Sequence, residues 1–501
     1  MTAAGMPSAE DLAAGVSLDA LFRSNAQSRP NDVCLIDPSD RIYFTDFEPR
    51  RLTYAAADAA VEQLAHRIRS FGLRWGSVIA VQLPNISEAV LTLLAVMRAG
   101  MVPMPVPMPW RRSDLVAALG EIQPRAFVTL ARFADDRPAE IMCEAAAELL
   151  QLSFPCAFGA EVPDGVIALD DPLSDAEPRG AKVVAPPGDH LAIATFDAAV
   201  GGFFPAARGH SQWLAAGLSM LLEAKIESGD TILTTLAPNS LAGIGTALVP
   251  WLLSGGALEF AGGASVAVTS TSDWKGRTHL IAPSAVLGGL ARQHRGPLAS
   301  CVAVHRARHG HVQSFANVAC ETLVDLFVFG ELGMISLRRD DRSKPNPIPI
   351  GPIAAPSSGR SPVVIETELA GGELLLRGAM LPRGSLPSGA SGAVRLDAHG
   401  FTRTGFRCHT DGNGRLVVDA GPSGVASVGG LRFGLDDLGS RIAKCVPEAM
   451  VHAIGDAVLG ERIRVEVHDP VAAGAALHDG GHSRQVIDAV VQAIGERRAV
   501  G

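Results

Sequence analysis

The sequence lacks the features that nucleic-acid-binding and disulfide-stabilised proteins share. Basic residues are the minority, 43 against 52 acidic ones, so the net charge of −9 leaves no broad positive surface for a phosphate backbone. The seven cysteines are dispersed and form no Cys-x-x-Cys pair, which indicates reduced thiols rather than a disulfide framework or a zinc site. We therefore predict a cytoplasmic protein with no nucleic-acid partner.

A targeting signal and a long apolar run are also missing. The first residues, MTAAGMPSAEDLAAGVSL, have neither a basic start nor an apolar centre, so we expect no signal peptide. The most apolar long stretch, residues 246–268, is interrupted by Pro250, Glu259 and several glycines. A membrane span needs about 20 mostly apolar residues. We expect a buried helix and strand here, and no membrane span.

What the sequence does have is a regular alternation of helix and strand patterns. With 501 residues, of which 47% are hydrophobic and 19% charged, the chain can bury more than one core. The predicted helices are 55–71, 85–100, 210–224 and 243–256, and the predicted strands are 77–83, 126–130, 190–196, 230–237 and 256–260. Gly100 is expected to end its helix in the left-handed conformation. The alternation predicts an α/β fold with two subdomains, about 1–190 and 190–350.

The pattern changes near residue 360. Short strands between glycine turns, including 392–397 and 414–420, predict a β-layer over about 351–419. The glycine-rich stretch 420–430 is predicted to be a hinge. A small α+β domain is predicted to follow over 431–501, with a strand at 462–469 and helices at 436–446 and 483–498.

The segment LTYAAADAAVEQLAHRIRSFGLRWGSVIAVQLPNISEAVLTLLAVMRAGMVPMPV closely resembles the opening of the adenylate-forming superfamily, which includes acyl-CoA synthetases and fatty acyl-AMP ligases. The resemblance extends over about residues 18–465 and rests on Leu52-Thr53-Tyr54, Gly76, Leu83-Pro84-Asn85 and Arg98-Ala99-Gly100. It implies a large amino-terminal part and a small hinged carboxy-terminal domain. It also implies ATP and Mg²⁺ as cofactors, an acyl-AMP intermediate, and a thiol of coenzyme A or a carrier protein as acceptor.

The stretch TFDAAVGGFFPAARGH, residues 195–210, stands where the resemblance places a phosphate-binding loop between a strand and a helix. Gly201 and His210 match family positions. The hydroxyl and Pro-Lys-Gly positions are taken by Phe196, Asp197, Ala199, Val200, Phe203, Phe204 and Pro205. A phosphate loop needs backbone N–H groups, hydroxyls or a cation, and here only the backbone could serve. We predict a loop that has lost triphosphate binding; the alternative is a connection that never had a ligand.

The stretch VFGELG, residues 328–333, resembles the family's Tyr-Gly-x-Thr-Glu motif. Phe329 and Gly330 fit the motif, but Leu332 and Gly333 occupy the positions of the phosphate- and magnesium-binding Thr and Glu. Magnesium prefers oxygen ligands, which these two side chains do not offer. We expect Glu331, two places early, to be an ordinary loop carboxylate rather than a relocated ligand.

Two further family motifs are altered near the carboxyl terminus. Thr404-Gly405 matches, but Phe406 replaces the Asp that holds the ribose hydroxyls, and a phenyl ring accepts no such bond. Gly421-Pro422 stands where the family has Gly-Arg, and no lysine follows Lys444. Arg497 and Arg498 are expected to be solvated. Phe203, Phe204 and Phe406 are expected to make the cleft drier and smaller.

These changes favour a non-catalytic homologue over an atypical carboxylate-activating ligase, although both hypotheses stay open. We predict no catalytic and no metal-binding residue; the vestigial cofactor positions are Gly201, His210, Phe329, Gly330, Thr404 and Gly405. The possible partners are an acyl group, an acyl carrier protein or an active synthetase. A nicotinamide oxidoreductase is disfavoured because no Gly-x-Gly-x-x-Gly follows a predicted strand. His305, His309 and His311 are expected to form a polar surface loop rather than a metal site.

Overall fold

The computed structural model describes residues 16–45, 47–169, 190–262, 276–306, 314–354 and 363–493. All seven cysteines lie in these residues and carry free thiols. None of the helices in the described residues is long and apolar enough to cross a membrane.

The chain forms 25 strands in these residues. Their bounds are β1 Val33–Ile36, β2 Arg51–Thr53, β3 Val78–Val81, β4 Val102–Pro105, β5 Ala126–Leu130, β6 Phe154–Phe158, β7 Ile167–Leu169, β8 Leu191–Ala199, β9 Gly202–Gly209, β10 Thr231–Thr234, β11 Ala257–Phe260, β12 Thr278–Pro283, β13 Leu298–His305, β14 Thr322–Phe329, β15 Gly333–Arg338, β16 Gly351–Ala354, β17 Val363–Ala370, β18 Glu373–Gly378, β19 Thr402–Thr410, β20 Leu416–Ala420, β21 Val425–Val428, β22 Leu431–Gly434, β23 Met450–Asp456, β24 Gly460–Val467 and β25 Val490–Gln492.

The helices alternate with these strands. Their bounds are α1 Leu18–Ser28, α2 Arg41–Phe44, α3 Tyr54–Arg69, α4 Ser87–Arg98, α5 Arg112–Leu119, α6 Pro138–Ala146, α7 His210–Glu223, α8 Leu241–Gly243, α9 Val249–Ser254, α10 Ser284–Gln293, α11 Leu435–Ala443, α12 Pro470–Asp479 and α13 Arg484–Ile487. A π-helical turn, Ile244–Leu248, joins α8 to α9.

Two sheets with mainly parallel strands carry the large part of the molecule. One has the order β4-β3-β5-β6-β7, and the other has the order β15-β14-β13-β12-β10-β11-β1-β2. Helix α3 contacts β1 and α4 contacts β3 and β4, while the two helices pack on each other, so one apolar core joins both sheets. Central strands such as Val78–Val81 are buried on both faces, which suits runs of Val, Ile and Ala.

The subdomain boundary differs from the sequence-based expectation. Strands β1 and β2 pair with each other, and β1 also pairs with β11, so residues 33–53 join the sheet of the later subdomain. The pairing is parallel between β1 and β11 and aligns Leu35 with Leu258. Local periodicity indicates that a strand exists but not which distant strand it joins.

The carboxy-terminal half contains two mainly antiparallel sheets. The order β16-β17-β18-β19-β20 forms the predicted β-layer, and β22-β21-β24-β23 with β25 belongs to the small domain, residues 425–493. The predicted fold class, a large α/β part with a β-layer and a small α+β domain, is confirmed.

Three local predictions in this half are wrong. Residues 392–397 form no regular strand. The described part of the predicted helix at 483–498 is the short helix α13 followed by β25, and residues 494–498 lie outside the described residues. The glycine-rich stretch 420–430 contains β21, so the connection between the two domains is only residues 421–424. Pairing of β21 with β22 and β24 overrides its weak strand pattern.

The predicted left-handed glycine at the end of α4 is confirmed. Gly100 has a φ of 81°, and a Cβ on it would lie 2.4 Å from Cζ3 of Trp75. Gly72, after α3, has a φ of 65° but no atom within 4 Å of such a Cβ. The two glycines therefore share one backbone requirement and differ in the space around them.

Replacement of these glycines by alanine separates the two effects. We expect Gly72→Ala to lower the free energy of unfolding by about 1–2 kcal/mol because of the left-handed backbone. Gly100→Ala should cost at least about 1 kcal/mol more, because the ring of Trp75 must move. Urea-induced unfolding measures both, and equal losses in the two variants would contradict the contact with Trp75.

Candidate functional site

The expected phosphate loop is a β-hairpin, which corrects the prediction of a strand, a loop and a helix. Strand β8 continues to Ala199, and β9 runs back from Gly202 directly into α7. Gly201 lies in the tight turn between them, and the register pairs Asp197 with Phe204 and Ala198 with Phe203. Side chains alternate across a strand, so the two adjacent phenylalanines point to opposite faces of the hairpin.

Phe203 fills an apolar seam between the two domains. Its ring centroid lies 4.6 Å from that of Trp110 and 6.4 Å from that of Phe433 in the small domain. Phe196 packs on the same tryptophan at 5.4 Å. Burying one such ring is worth about 1.5–3 kcal/mol. Phe204, on the other face, lines a separate groove together with Pro205.

Asp197 holds the small domain to the hairpin. Its buried carboxylate accepts hydrogen bonds from the guanidinium of Arg432 on β22 and, at 2.7 Å, from the backbone N–H of Glu331. Arg432 also lies over the ring of Phe406, 5.9 Å from its centroid. The negative charge of the hairpin is therefore paired with a cation from the other domain.

Glu331 is not the ordinary loop carboxylate that the sequence predicts. It is buried, and its Oε2 accepts hydrogen bonds from Thr195 Oγ1 at 2.6 Å and from the backbone N–H of Leu241 at 2.8 Å. Burial raises the pKa of this carboxyl to about 7, with Arg208 opposing the shift. A buried, hydrogen-bonded carboxyl of this kind is shared between its neutral and charged forms near neutral pH.

Arg208 completes a cluster of four charged residues, Asp197, Arg208, Glu331 and Arg432, which we call the charge cluster; the first three are buried and Arg432 is partly exposed. The side chain of Arg208 is fully buried and donates to the carbonyl oxygens of Met380 at 2.7 Å, of Leu332 at 3.2 Å and of Glu331. Burial lowers the pKa of this guanidinium to about 10, while Glu331 and Asp197 oppose that effect.

Neither arginine of the charge cluster was predicted from the sequence. Arg208 lies on β9, in a stretch that was interpreted as a loop, and Arg432 lies beyond the glycines that were interpreted as a hinge. A signal was present in the pattern, because Arg208 stands alone among small residues, two positions before His210. An isolated arginine in such a setting is rarely buried without an acceptor.

Phe329, Gly330 and Phe406 lie together beside the charge cluster. The rings of Phe329 and Phe406 meet edge to face at 5.2 Å, and both are buried. Gly330 has a φ of 58°, and a Cβ on it would lie 2.0 Å from Arg432 Nη1. Any larger residue at this position would push the arginine away from Asp197.

Thr404 and Gly405 are satisfied within the β-layer. Thr404 Oγ1 donates to the carbonyl of Leu374 at 2.7 Å, and the N–H of Gly405 donates to Glu373 Oε1 at 2.8 Å. Gly405 has a φ of 76° and packs against Pro422 in the connection between the domains. Of the six vestigial positions, Gly330 adjoins the charge cluster directly, and Thr404 and Gly405 line the neighbouring groove.

His210, the first residue of α7, is buried. Its Nδ1 accepts a hydrogen bond from the backbone N–H of Leu18 at 3.1 Å, and burial lowers its pKa to about 4. His305 Nε2 lies 2.8 Å from Asp325 Oδ1, so this histidine is held by a carboxylate. His309, His311, Arg497 and Arg498 lie outside the described residues. The described residues contain no group of three or more His, Cys, Asp or Glu that could hold a metal ion.

One arrangement resembles a hydrolytic triad but has no access to a substrate. His279 bonds to Ser300 Oγ through Nδ1 and to Asp230 Oδ2 through Nε2, both at 2.8 Å. The serine and the histidine have no exposed surface. A nucleophile must reach a substrate atom, so this line of hydrogen bonds is part of the core.

A cavity of about 370 Å³ lies between the two domains, beside the charge cluster. Trp110, Phe196 and Phe203 form its apolar side, and the turn Gly429–Gly430 of the small domain forms part of the opposite side. Arg306 also lines it, with Nη2 donating to Ser240 Oγ at 3.3 Å, and burial lowers the pKa of this guanidinium. The cavity therefore combines an apolar side with four charged groups, Arg306 and the charge-cluster members Asp197, Glu331 and Arg432.

A second ion pair joins the domains away from the cavity. Arg441 Nη1 donates to Asp114 Oδ1 and to Ser113 Oγ, each at 2.9 Å, and the N–H of Ser113 donates to the carbonyl of Gly481 at 2.9 Å. Asp114 is fully buried, and burial raises its pKa despite the arginine. The small domain is thus fixed at two separate places.

Comparison with known proteins gives related results from sequence and from structure. A model of the AMP-binding enzyme family matches residues 22–196. The 2-hydroxy-7-methoxy-5-methyl-1-naphthoate–CoA ligase of Streptomyces carzinostaticus is 25% identical over 496 residues, which cover 90% of this chain and 83% of that enzyme. The medium-chain fatty-acid–CoA ligase of Escherichia coli K12 is 29% identical over 136 residues, 27% of this chain and 22% of that enzyme.

Solved structures match over nearly the whole chain. The amide bond synthetase McbA from Marinactinospora thermotolerans has a TM-score of 0.71 at 16% identity, with 95% of each chain covered. MbtA of Mycobacterium smegmatis has a TM-score of 0.65 at 19% identity, with 95% of this chain and 91% of that chain covered. At such identities the likeness concerns the fold.

Replacement of Glu331 by glutamine should change how stability depends on pH. Folding raises the pKa of this carboxyl from 4.5 to about 7, so the folded state binds more protons between these values and the native chain loses stability as pH rises through them. Glu331→Gln removes this titration. We expect the variant to gain up to about 3 kcal/mol relative to the native chain between about pH 5 and about pH 8.

Urea-induced unfolding of both proteins at the two pH values measures this difference. His210 and His482, whose pKa values burial lowers to about 4, act in the opposite direction but are present in both proteins. A stability difference that stays constant across this range would show that Glu331 is charged in the folded state throughout.

Removal of Arg432 should loosen the small domain. Arg432→Ala leaves the buried Asp197 without its cation, and such a loss typically costs about 3–5 kcal/mol. We expect proteolytic cleavage in residues 421–424 to become at least about tenfold faster. The matched control is Arg484→Ala, which removes an exposed ion pair with Asp488 inside the small domain. Equal cleavage rates in the two variants would contradict the role of Arg432.

Proposed function

We propose that this chain, which belongs to the adenylate-forming superfamily, is a non-catalytic member that binds an acyl group in the cavity between its two domains. The observation that carries the proposal is the charge cluster. It places two acidic groups in the region where the family resemblance places triphosphate and magnesium. They are the carboxylate of Asp197, which is paired with Arg432, and the carboxyl of Glu331, whose pKa is raised to about 7. A polyphosphate would meet two acidic groups there, and their cations are already engaged.

The neighbouring positions support the loss of nucleotide binding. Leu332 and Gly333 carry no oxygen ligand for magnesium, which requires near-ideal octahedral geometry. Phe406, at the position that would hold the ribose, is buried against Phe329 and accepts no hydrogen bond. We propose that ATP and Mg²⁺ do not bind, and that Gly201, His210, Phe329, Gly330, Thr404 and Gly405 now serve the fold.

The cavity supports binding of an acyl group or the acid that carries it. Its volume of about 370 Å³ falls within the range of about 300–1,000 Å³ that is usual for small-molecule sites. An apolar body would pack against Trp110, Phe196 and Phe203, while Arg306 would face a carboxylate or thioester oxygen. A largely apolar side with a few placed polar groups is typical of small-molecule sites.

The partners follow from the same reasoning. We propose that the acyl group is presented on coenzyme A, on an acyl carrier protein or by an active synthetase. The solved structures of similar fold include an artificially fused adenylation–PCP di-domain from Klebsiella oxytoca. The seven free thiols are typical of a reducing compartment, and we propose that the protein works in the cytoplasm.

The test combines pyrophosphate exchange with direct binding. We expect no ATP–pyrophosphate exchange over a panel of aliphatic and aromatic acids and no heat on titration with ATP and Mg²⁺. The acids or their thioesters should change the fluorescence of Trp110, and Arg306→Gln should weaken carboxylate binding about tenfold. The matched control, Arg292→Gln, removes an exposed arginine outside the cavity and should have no effect.

The outcomes are distinguishable. Exchange with any acid would overturn the proposal in favour of an atypical ligase that forms an acyl-AMP. If the protein shows neither ATP–pyrophosphate exchange nor acyl binding, the proposed binding role is overturned. Loss of the fluorescence change in Trp110→Phe is required for assignment of the signal to the cavity.

A further inference from the structure

A second cavity, of about 240 Å³, shares no lining residue with the cavity between the two domains. It is enclosed by the end of α4, the starts of β4, β8 and α7, and the loop that follows β18. Two histidines line this space, His190 and His210, and we call it the histidine cavity. Its other large lining side chains are apolar, namely Trp75, Met97, Met101, Val102, Leu191 and Pro387.

The ring of His210 has one nitrogen engaged in the fold and one without a partner. Only 1% of this residue is exposed, and its Nδ1 accepts a hydrogen bond from the backbone N–H of Leu18 at 3.1 Å. Because burial lowers its pKa to about 4, the ring is neutral at pH 7 and carries its one proton on Nε2. None of the described residues accepts a hydrogen bond from this Nε2. Leu18 is not a lining residue, which leaves Nε2 on the side of the ring toward the cavity.

His190 has the same arrangement. Its Nδ1 accepts a hydrogen bond from the indole N–H of Trp75 at 3.5 Å, and the two rings meet edge to face with 5.7 Å between their centroids. An accepting Nδ1 places the proton on Nε2, and within the described ranges nothing pairs with that atom. Two N–H donors without an acceptor therefore belong to one cavity.

The chemistry of the lining disfavours several occupants. A metal ion would need the lone pairs of the two Nε2 atoms, which carry protons here. A carboxylate or phosphate would be buried without a strong cation, because the described lining residues include no lysine and no arginine. Water satisfies single donors, but each molecule fills only about 30 Å³ and gains little from apolar walls. The lining therefore suits an uncharged molecule with an apolar body and one hydrogen-bond acceptor.

We propose that the histidine cavity binds a small uncharged carbonyl compound, whose oxygen accepts hydrogen bonds from the Nε2 atoms of His190 and His210. A carbonyl oxygen has two lone pairs and hence the capacity for both donors. An apolar cavity of about 150 Å³ takes a benzene molecule, so about 240 Å³ accommodates an aromatic ring with a carbonyl substituent. This site is separate from the interdomain cavity, and the proposal does not rest on the acyl-binding role.

Three probes of similar shape test this chemistry on the full-length native protein. Acetophenone offers an uncharged acceptor, ethylbenzene has no acceptor, and benzoate carries a charge. In titrations followed by saturation-transfer NMR, we expect acetophenone to bind at least about tenfold more tightly than ethylbenzene, because only the ketone satisfies the donors. Equal affinities for these two would overturn the proposal, since apolar contact alone would then explain binding. Tighter binding of benzoate at this site would overturn the preference for an uncharged ligand.

The mouth of the cavity offers a matched pair of variants that locates the bound probe. Ser385 is exposed and lines the cavity, whereas Ser388 is exposed in the same loop and does not line it. Ser385→Trp should obstruct entry and weaken acetophenone binding at least about tenfold, while Ser388→Trp should leave it unchanged. Circular dichroism checks that both proteins are folded. Acetophenone binding that persists in folded Ser385→Trp would lie elsewhere and overturn the proposal.

Histidine variants separate the donors from the shape of the cavity. His190→Phe keeps a flat ring beside Trp75 but removes the N–H, so it should weaken acetophenone binding several-fold and leave ethylbenzene binding unchanged. His210→Phe should have the same effect, although loss of the hydrogen bond from Leu18 makes a check of its thermal unfolding necessary. Unchanged acetophenone binding in folded His190→Phe would overturn the role of this histidine, whatever the stability of the second variant.

Discussion

The ion pair between Asp197 and Arg432 is the interaction on which the arrangement of this molecule depends. A carboxylate that is almost fully buried needs a cation, and here the cation comes from the other domain. Gly330 must lack a side chain for the pair to form, because a Cβ on it would lie 2.0 Å from Nη1 of Arg432. In this chain the carboxylate of the hairpin stabilises the contact between the domains.

The remaining charges of the cleft follow from this pair. Asp197 and Glu331 repel each other, and Arg208 lies close enough to attract both, although it donates its hydrogen bonds to backbone carbonyls. Desolvation therefore acts on Glu331 with only partial compensation, and its carboxyl titrates near neutral pH. The cleft contains several charged side chains, but these side chains interact with one another.

Much of the scaffold could be predicted from local sequence, while most of the site could not. The strand at 126–130 and the left-handed turn at Gly100 depend on neighbouring residues, and both are confirmed. The hairpin was missed because Val200 and two glycines look like a loop, although they form its turn. The burial of Glu331 depends on Thr195 and Leu241, which are far away in sequence, so no local pattern could reveal it.

The walls of the interdomain cavity come from both domains, since Trp110 and the turn Gly429–Gly430 face the same space. Occupancy of the cavity and cohesion of the domains are consequently one coupled equilibrium. A ligand that contacts both walls stabilises the contact between the domains by its own binding free energy. Any change that separates the walls weakens ligand binding by the same free energy. The affinity for the acyl ligand that we propose is in that sense set by the contact between the domains as much as by the cavity.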